Sequence, residues 1–200
     1  MSIVNKRRVT LAAAATVALV AAFSVYTATA ALLSGPDETV SDLTTGAVVQ
    51  IGTFPATGSG EKRVMLLQQT NNGLVCLWDA PSADSPERLG GCNPITDALG
   101  NSTSLWASTQ FDGGPRPEDV TDLRVMGIAN ADVAAVHLHM SNGVSQAIPF
   151  NGREVIIDGA HFKTFSYRLS DKGLAADNAP TAVIATDASG AAIGTQKTGL

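Results

Sequence analysis

From residue 122 onward, short apolar runs alternate with turn residues at intervals of about ten, the spacing of a sandwich or small barrel. Leu123 to Ile128, Val133 to Met140, Val144 to Phe150, Glu154 to Ile157, Phe162 to Leu169 and Thr181 to Thr186 are each of strand length. Their β-branched and aromatic content favours a pleated, half-buried surface. Ser141-Asn142-Gly143 predicts one hairpin, because Asn and Gly accept the positive φ that tight turns require. Asp187-Ala188-Ser189-Gly190 predicts another, leading to a last strand at Ala191 to Thr195. No helical period survives in this half.

The first half is less regular. Ala47 to Gly52, Arg63 to Gln69, Leu74 to Asp79 and Ser104 to Ser108 read as strands, and Thr70-Asn71-Asn72-Gly73 as a hairpin turn. Pro55 to Glu61, Ala80 to Gly90 and Phe111 to Asp119 are loops by composition, the last a weak internal boundary near 111–120. Asn93 as N-cap, Pro94 at the first helical position and Gly100 as stop predict one short helix. The expected fold is mainly β: an antiparallel sandwich-like domain with one short helix, preceded by an apolar N-terminal targeting or anchor helix. Residues 1–30 form that leader, 31–46 a linker and 47–200 an extracytoplasmic domain.

The leader changes the picture most. Lys6-Arg7-Arg8 is followed by no charged residue until Asp37, and Leu11 to Phe23 is apolar apart from Thr16. Ala28-Thr29-Ala30 supplies the small residues of a cleavage site, so the layout is that of a secretory signal. An uncleaved membrane anchor, positive end inside, fits the same residues. Either way the domain lies outside the cytoplasm, secreted or tethered to the membrane. Removing residues 1–30 leaves 10 basic against 18 acidic side chains, a net charge of −8. Such a surface repels phosphate backbones, so nucleic acid is excluded as a partner.

The two cysteines of the chain, Cys76 in an apolar run and Cys92 after Gly90-Gly91, become in that setting the halves of one disulfide. The bridge is expected to pin the irregular half against the sheet, with Trp78 and Trp106 packed over it. An exposed tryptophan would instead be a platform for a polysaccharide or partner.

The order Gly127-Ile128-Ala129-Asn130-Ala131-Asp132-Val133, then Asn142-Gly143, Asn151-Gly152 and the Asp187–Gly190 turn, follows a cysteine-bearing half. In this the chain resembles the secreted or membrane-anchored β proteins of unknown function found in high-GC Gram-positive bacteria. The resemblance spans roughly residues 47–195, rests on turn residues, and implies a β fold and an exported location. It brings no catalytic residue.

Candidate chemistry is sparse. His137 and His139, two apart on a strand, share one face, and His161 is a third histidine in the same half. Such a pair can present two imidazoles to a metal. A cupin would need a Glu four or five residues after the second histidine, where Val144 and Ser145 stand, and a copper–zinc dismutase would need six histidines. No metal site and no cofactor are therefore expected, with His137, His139 and His161 the residues to watch. Glu118, Asp119 and Asp122 form the densest carboxylate group, in a loop, and no nucleophile elbow or phosphate loop occurs. The leading expectation is a non-enzymatic, exported structural or interaction domain of the cell envelope. Its partners would be the membrane, through an uncleaved leader, and an envelope protein or polysaccharide. The alternative is an extracytoplasmic enzyme or metal-binding protein using His137 and His139.

Overall fold

In the computed structural model, the chain is described at residues 43–55, 61–94, 104–114, 116–170 and 178–199. The expected leader helix and most of the expected short helix lie outside these residues. Among the described residues, twelve strands form three four-stranded antiparallel sheets. The N-terminal sheet is a meander of β1 (Val48–Thr53), β2 (Val64–Gln69), β3 (Leu74–Ala80) and β4 (Leu89–Pro94), in that order. The remaining strands come as four hairpins dealt alternately to two sheets. β5 (Leu105–Gly113) with β6 (Val120–Asn130), and β9 (Val155–Ile157) with β10 (Ala160–Ser170), make a sheet of order β5-β6-β10-β9. β7 (Ala135–Met140) with β8 (Ser145–Ile148), and β11 (Pro180–Thr186) with β12 (Ala192–Lys197), make one of order β12-β11-β7-β8.

The sheets stack in three layers, where two were expected, because the β5-β6-β10-β9 sheet is covered on both faces. Trp106, Met126, Ile128 and Phe162 on one face join Met65, Leu67, Val75 and Leu77 of the N-terminal sheet. Leu105, Leu123, Val125 and Phe165 on the other join Val136, Leu138, Val183 and Ala185 of the C-terminal sheet. Double coverage explains the composition of β6, whose residues from Leu123 to Ala129 are all buried, with no polar face to alternate. Gly127 fits the same constraint. A Cβ there would come 2.1 Å from Cζ of Phe165 and 2.5 Å from the carbonyl oxygen of Trp106, so the glycine is the space into which the Phe165 ring packs.

The hairpin turns fall where the turn residues predict. Gly73, Gly143 and Gly190 take φ of 78°, 83° and 84°, and the Asp187 carboxylate accepts from the amides of Ser189 and Ala191. Three local expectations are corrected. Asn93 and Pro94 end strand β4 and do not open a helix, and among the described residues the one helical turn is a 3-10 turn, Pro117–Asp119. Phe111 to Gly113 continue β5 beyond the expected loop, because they pair with Leu123 to Val120. Gly90-Gly91 is strand as well. Gly90 pairs with Trp78 at φ 152°, and a Cβ on it would meet the Leu77 carbonyl oxygen at 2.0 Å, so glycine allows β4 to close on β3.

Cys76 and Cys92 are bonded and stand directly opposite each other on β3 and β4. The bridge thus joins neighbouring strands of one sheet and does not pin that sheet to another. Met65, Leu67, Val75 and Leu77 point inward, which places Cys76 and Trp78 on the outer face with Val64 and Leu66. Trp78 shares that face, two residues along from the bridge. Trp106 lies in the core on the far side of the sheet. There its indole Nε1 donates to the Asn93 side-chain oxygen at 3.0 Å once that amide is oriented to suit its neighbours.

A bridge closing a loop of this size contributes about 3 kcal/mol on the chain-entropy account. The double variant Cys76→Ser/Cys92→Ser is expected to unfold at clearly lower denaturant concentration than the unreduced parent. An unchanged midpoint would show that the β3–β4 ladder alone is sufficient.

Candidate functional site

Two charged residues interrupt the apolar runs of the N-terminal and central sheets, and neither was singled out from the sequence. Asp79 follows Trp78 at the end of β3, and Arg124 sits between Leu123 and Val125 in β6. Strand alternation sends both inward, toward each other, across the interface between the two sheets. Both side chains are fully buried. Asp79 accepts from Nε of Arg63 and from Nε of Arg124, each at 2.6 Å.

The network continues within the central sheet. Asp112 on β5 is directly opposite Asp122 on β6, and Arg124 on β6 is directly opposite Arg168 on β10. Like charges so placed repel. Here each pair is bridged by members of the other. Arg124 donates from Nη1 and Nη2 to Asp112 at 2.8 and 3.1 Å, and from Nη1 to Asp122 as well. Arg168 holds Asp122 through two parallel bonds of 2.8 Å and gives its remaining nitrogen to the Glu61 carbonyl at 2.7 Å. Three arginines thus meet three aspartates, with no net charge.

Burial opposes the charge on Arg124, but bonds from Asp112 and Asp79 and the field of Asp122 outweigh it and raise its pKa further above its ordinary range. The bond from Arg124 holds the Asp112 carboxyl below its ordinary value, against a smaller opposing contribution from burial. The site has little to offer a substrate. Its acceptors are occupied by guanidinium groups, and of the six side chains Asp112 alone is largely exposed, at 52%. Its role is to join two layers where apolar side chains give way to polar ones.

The residues expected from the sequence lie elsewhere and apart. Glu118 and Asp119 are exposed in the 3-10 turn, so of that carboxylate group Asp122 alone enters the network. His137 and His139 are half-buried on β7, sharing the outer face of the C-terminal sheet, while Val136, Leu138 and Met140 are buried behind them. His161 is on β10 of the central sheet, with Nδ1 3.2 Å from the Glu154 carboxylate. Among the described residues, no three His, Cys, Asp or Glu side chains gather as metal ligands. The Nε1 of Trp78 is buried without a hydrogen-bond partner, although the residue itself is half-buried. No family model, curated protein or solved structure matches the chain.

Two outcomes follow from the network. Asp79→Ala leaves two guanidinium groups facing an empty, dry position and is expected to cost about 3–5 kcal/mol in denaturant unfolding. A loss below about 1 kcal/mol would mean that water reaches Arg124. The second outcome concerns acid. The folded-state pKa of Asp112 is depressed, so its stabilising contribution is complete above the unfolded value of about 4 and disappears as pH falls through the lower folded value. The stability difference between parent and Asp112→Asn should therefore be constant from about pH 7 to pH 5 and shrink below about pH 4. A difference that instead grows in acid would contradict this assignment.

Proposed function

We propose that this chain is an exported, non-enzymatic structural or interaction domain of the cell envelope. The observation that carries the reading is the self-contained ion network. The densest charged chemistry of the described residues is neutral, buried except at Asp112, and committed to holding two sheets together. A strongly polar cluster built for catalysis would keep an unengaged acid or base open to substrate, whereas both oxygens of the exposed Asp112 carboxylate are taken by Arg124. The disulfide supports the compartment, since such bonds persist where thiols are not kept reduced. The Lys6-Arg7-Arg8 head and the apolar run behind it supply the export signal or a membrane tether.

Contact with a partner falls to the outer sheet faces. On the N-terminal sheet, half-buried Val48, Gln50, Gln68 and Trp78 surround the disulfide without a charge among them. An uncharged surface carrying an indole and amides suits an envelope polysaccharide or protein. The net charge of −8 beyond the leader disfavours nucleic acid.

Export is tested by fractionating cells that carry a C-terminally tagged chain and adding protease to intact cells. The tag is expected in the medium, or on the membrane and open to the protease. A full-length, protected chain in the cytosol would overturn the proposal. The amino terminus of the mature chain distinguishes a cleaved signal, starting at Ala31, from a retained anchor.

A further inference from the structure

Among the described residues, nothing bonds the side chains of His137 and His139. They sit on β7, flanked by β11 and β8, so hydrogen-bonded ladders on both sides hold the backbone beneath them. Neither ring nitrogen has a hydrogen-bond or ion-pair partner among the described residues, and the Thr181 hydroxyl that reaches His139 bonds its backbone carbonyl. Across the strands, His137 faces Ile184 and Ala147, and His139 faces Ala182 and Ser145. These neighbours are uncharged, and two of the four are alanines. The nearest cation in register on that face, Lys197, pairs with Ala182 and is one strand further away. Two histidines held rigidly side by side, half-exposed and unpaired, are an arrangement that the packing does not require.

We propose that His137 and His139 form a two-imidazole chelate for a divalent transition-metal ion, and that Cu²⁺ is the ion it fits best. With a strand rise of about 3.3 Å per residue, the two Cα atoms stand about 6.6 Å apart on one face. Rotation about the side-chain bonds then brings one nitrogen of each ring to about 2 Å from a shared ion. Two adjacent nitrogens with water in the remaining positions match the tetragonal nitrogen–oxygen preference of Cu²⁺, which also leads the divalent affinity order. Structural zinc instead takes four protein ligands in a closed tetrahedron, and among the described residues no third ligand is grouped with this pair. His161 belongs to a different sheet and is engaged with Glu154, so it takes no part.

The test is titration of the purified full-length chain with Cu²⁺ in a non-chelating buffer, followed by calorimetry and by electron paramagnetic resonance. One ion per chain is expected, with hyperfine structure from two equivalent nitrogens. His137→Ala and His139→Ala should each weaken binding at least tenfold. The double variant should abolish the signal, and His161→Ala should leave it unchanged. Metal-free melting curves of the His137 and His139 variants should overlay the parent, because those two imidazoles bond nothing among the described residues. The double variant His137→Gln/His139→Gln gives the same readout if the alanines loosen the sheet. Copper bound equally well by either double variant, a one-nitrogen spectrum, or the absence of a protein-bound signal at stoichiometric copper would overturn the proposal.

Discussion

A guanidinium removed from water is tolerable only while carboxylates surround it, and Arg124 makes that condition structural. Asp79 comes from one sheet, Asp112 and Asp122 from the next, so the arginine is satisfied only when the two layers are in register. An apolar interface would bind the sheets at least as strongly, since buried ion pairs seldom outperform well-packed hydrocarbon. What the ion network adds is selectivity. A shift of β3 by one residue would turn Asp79 to the outer face and leave Arg63 and Arg124 without their shared acceptor. Apolar side chains impose no comparable penalty on sliding.

That demand for register suits the architecture. The central sheet has no solvent face to specify its orientation, because both of its surfaces are core. Shape and charge do the specifying instead. Phe165 fits where Gly127 lacks a side chain, on the side of the C-terminal sheet. Arg124 and Arg168 meet their acids on the side of the N-terminal sheet. Each face of the layer thus carries a feature that the other cannot accommodate.

Much of the strand pattern was legible in the sequence because it is local. The turns at Thr70–Gly73, Ser141–Gly143 and Asp187–Gly190 are set by the conformational freedom of Asn, Asp and Gly, which needs no tertiary context. Strand β4 was not legible. Leu89-Gly90-Gly91-Cys92-Asn93-Pro94 has poor strand propensity and is extended because β3 and the disulfide make it so. The third layer was hidden for a different reason. Periodicity tells which residues are buried, but not what buries them, and β6 carries apolar residues on both faces without naming two partners. The ion network left a trace in an arginine within Leu123–Ile128 and an aspartate closing Leu74–Asp79. Its pairing spans 45 residues of chain, a separation that no local pattern encodes.

The meander of the N-terminal sheet has a kinetic meaning. Each of its strands pairs with its neighbour in sequence, and its disulfide closes within the same unit. The other two sheets depend on β6 meeting β10 and β7 meeting β11, with a hairpin of the opposite layer intervening each time. Loop-closure entropy makes the neighbouring contacts faster to form. The topology therefore makes the two parts of the chain depend differently on distant sequence. The first sheet is complete in its own pairing and oxidation, and it presents Asp79 and Arg63 on the face that the interleaved hairpins cover. Without Arg124 that face would be a charged surface open to water, and it is the second half of the chain that turns it into an interior.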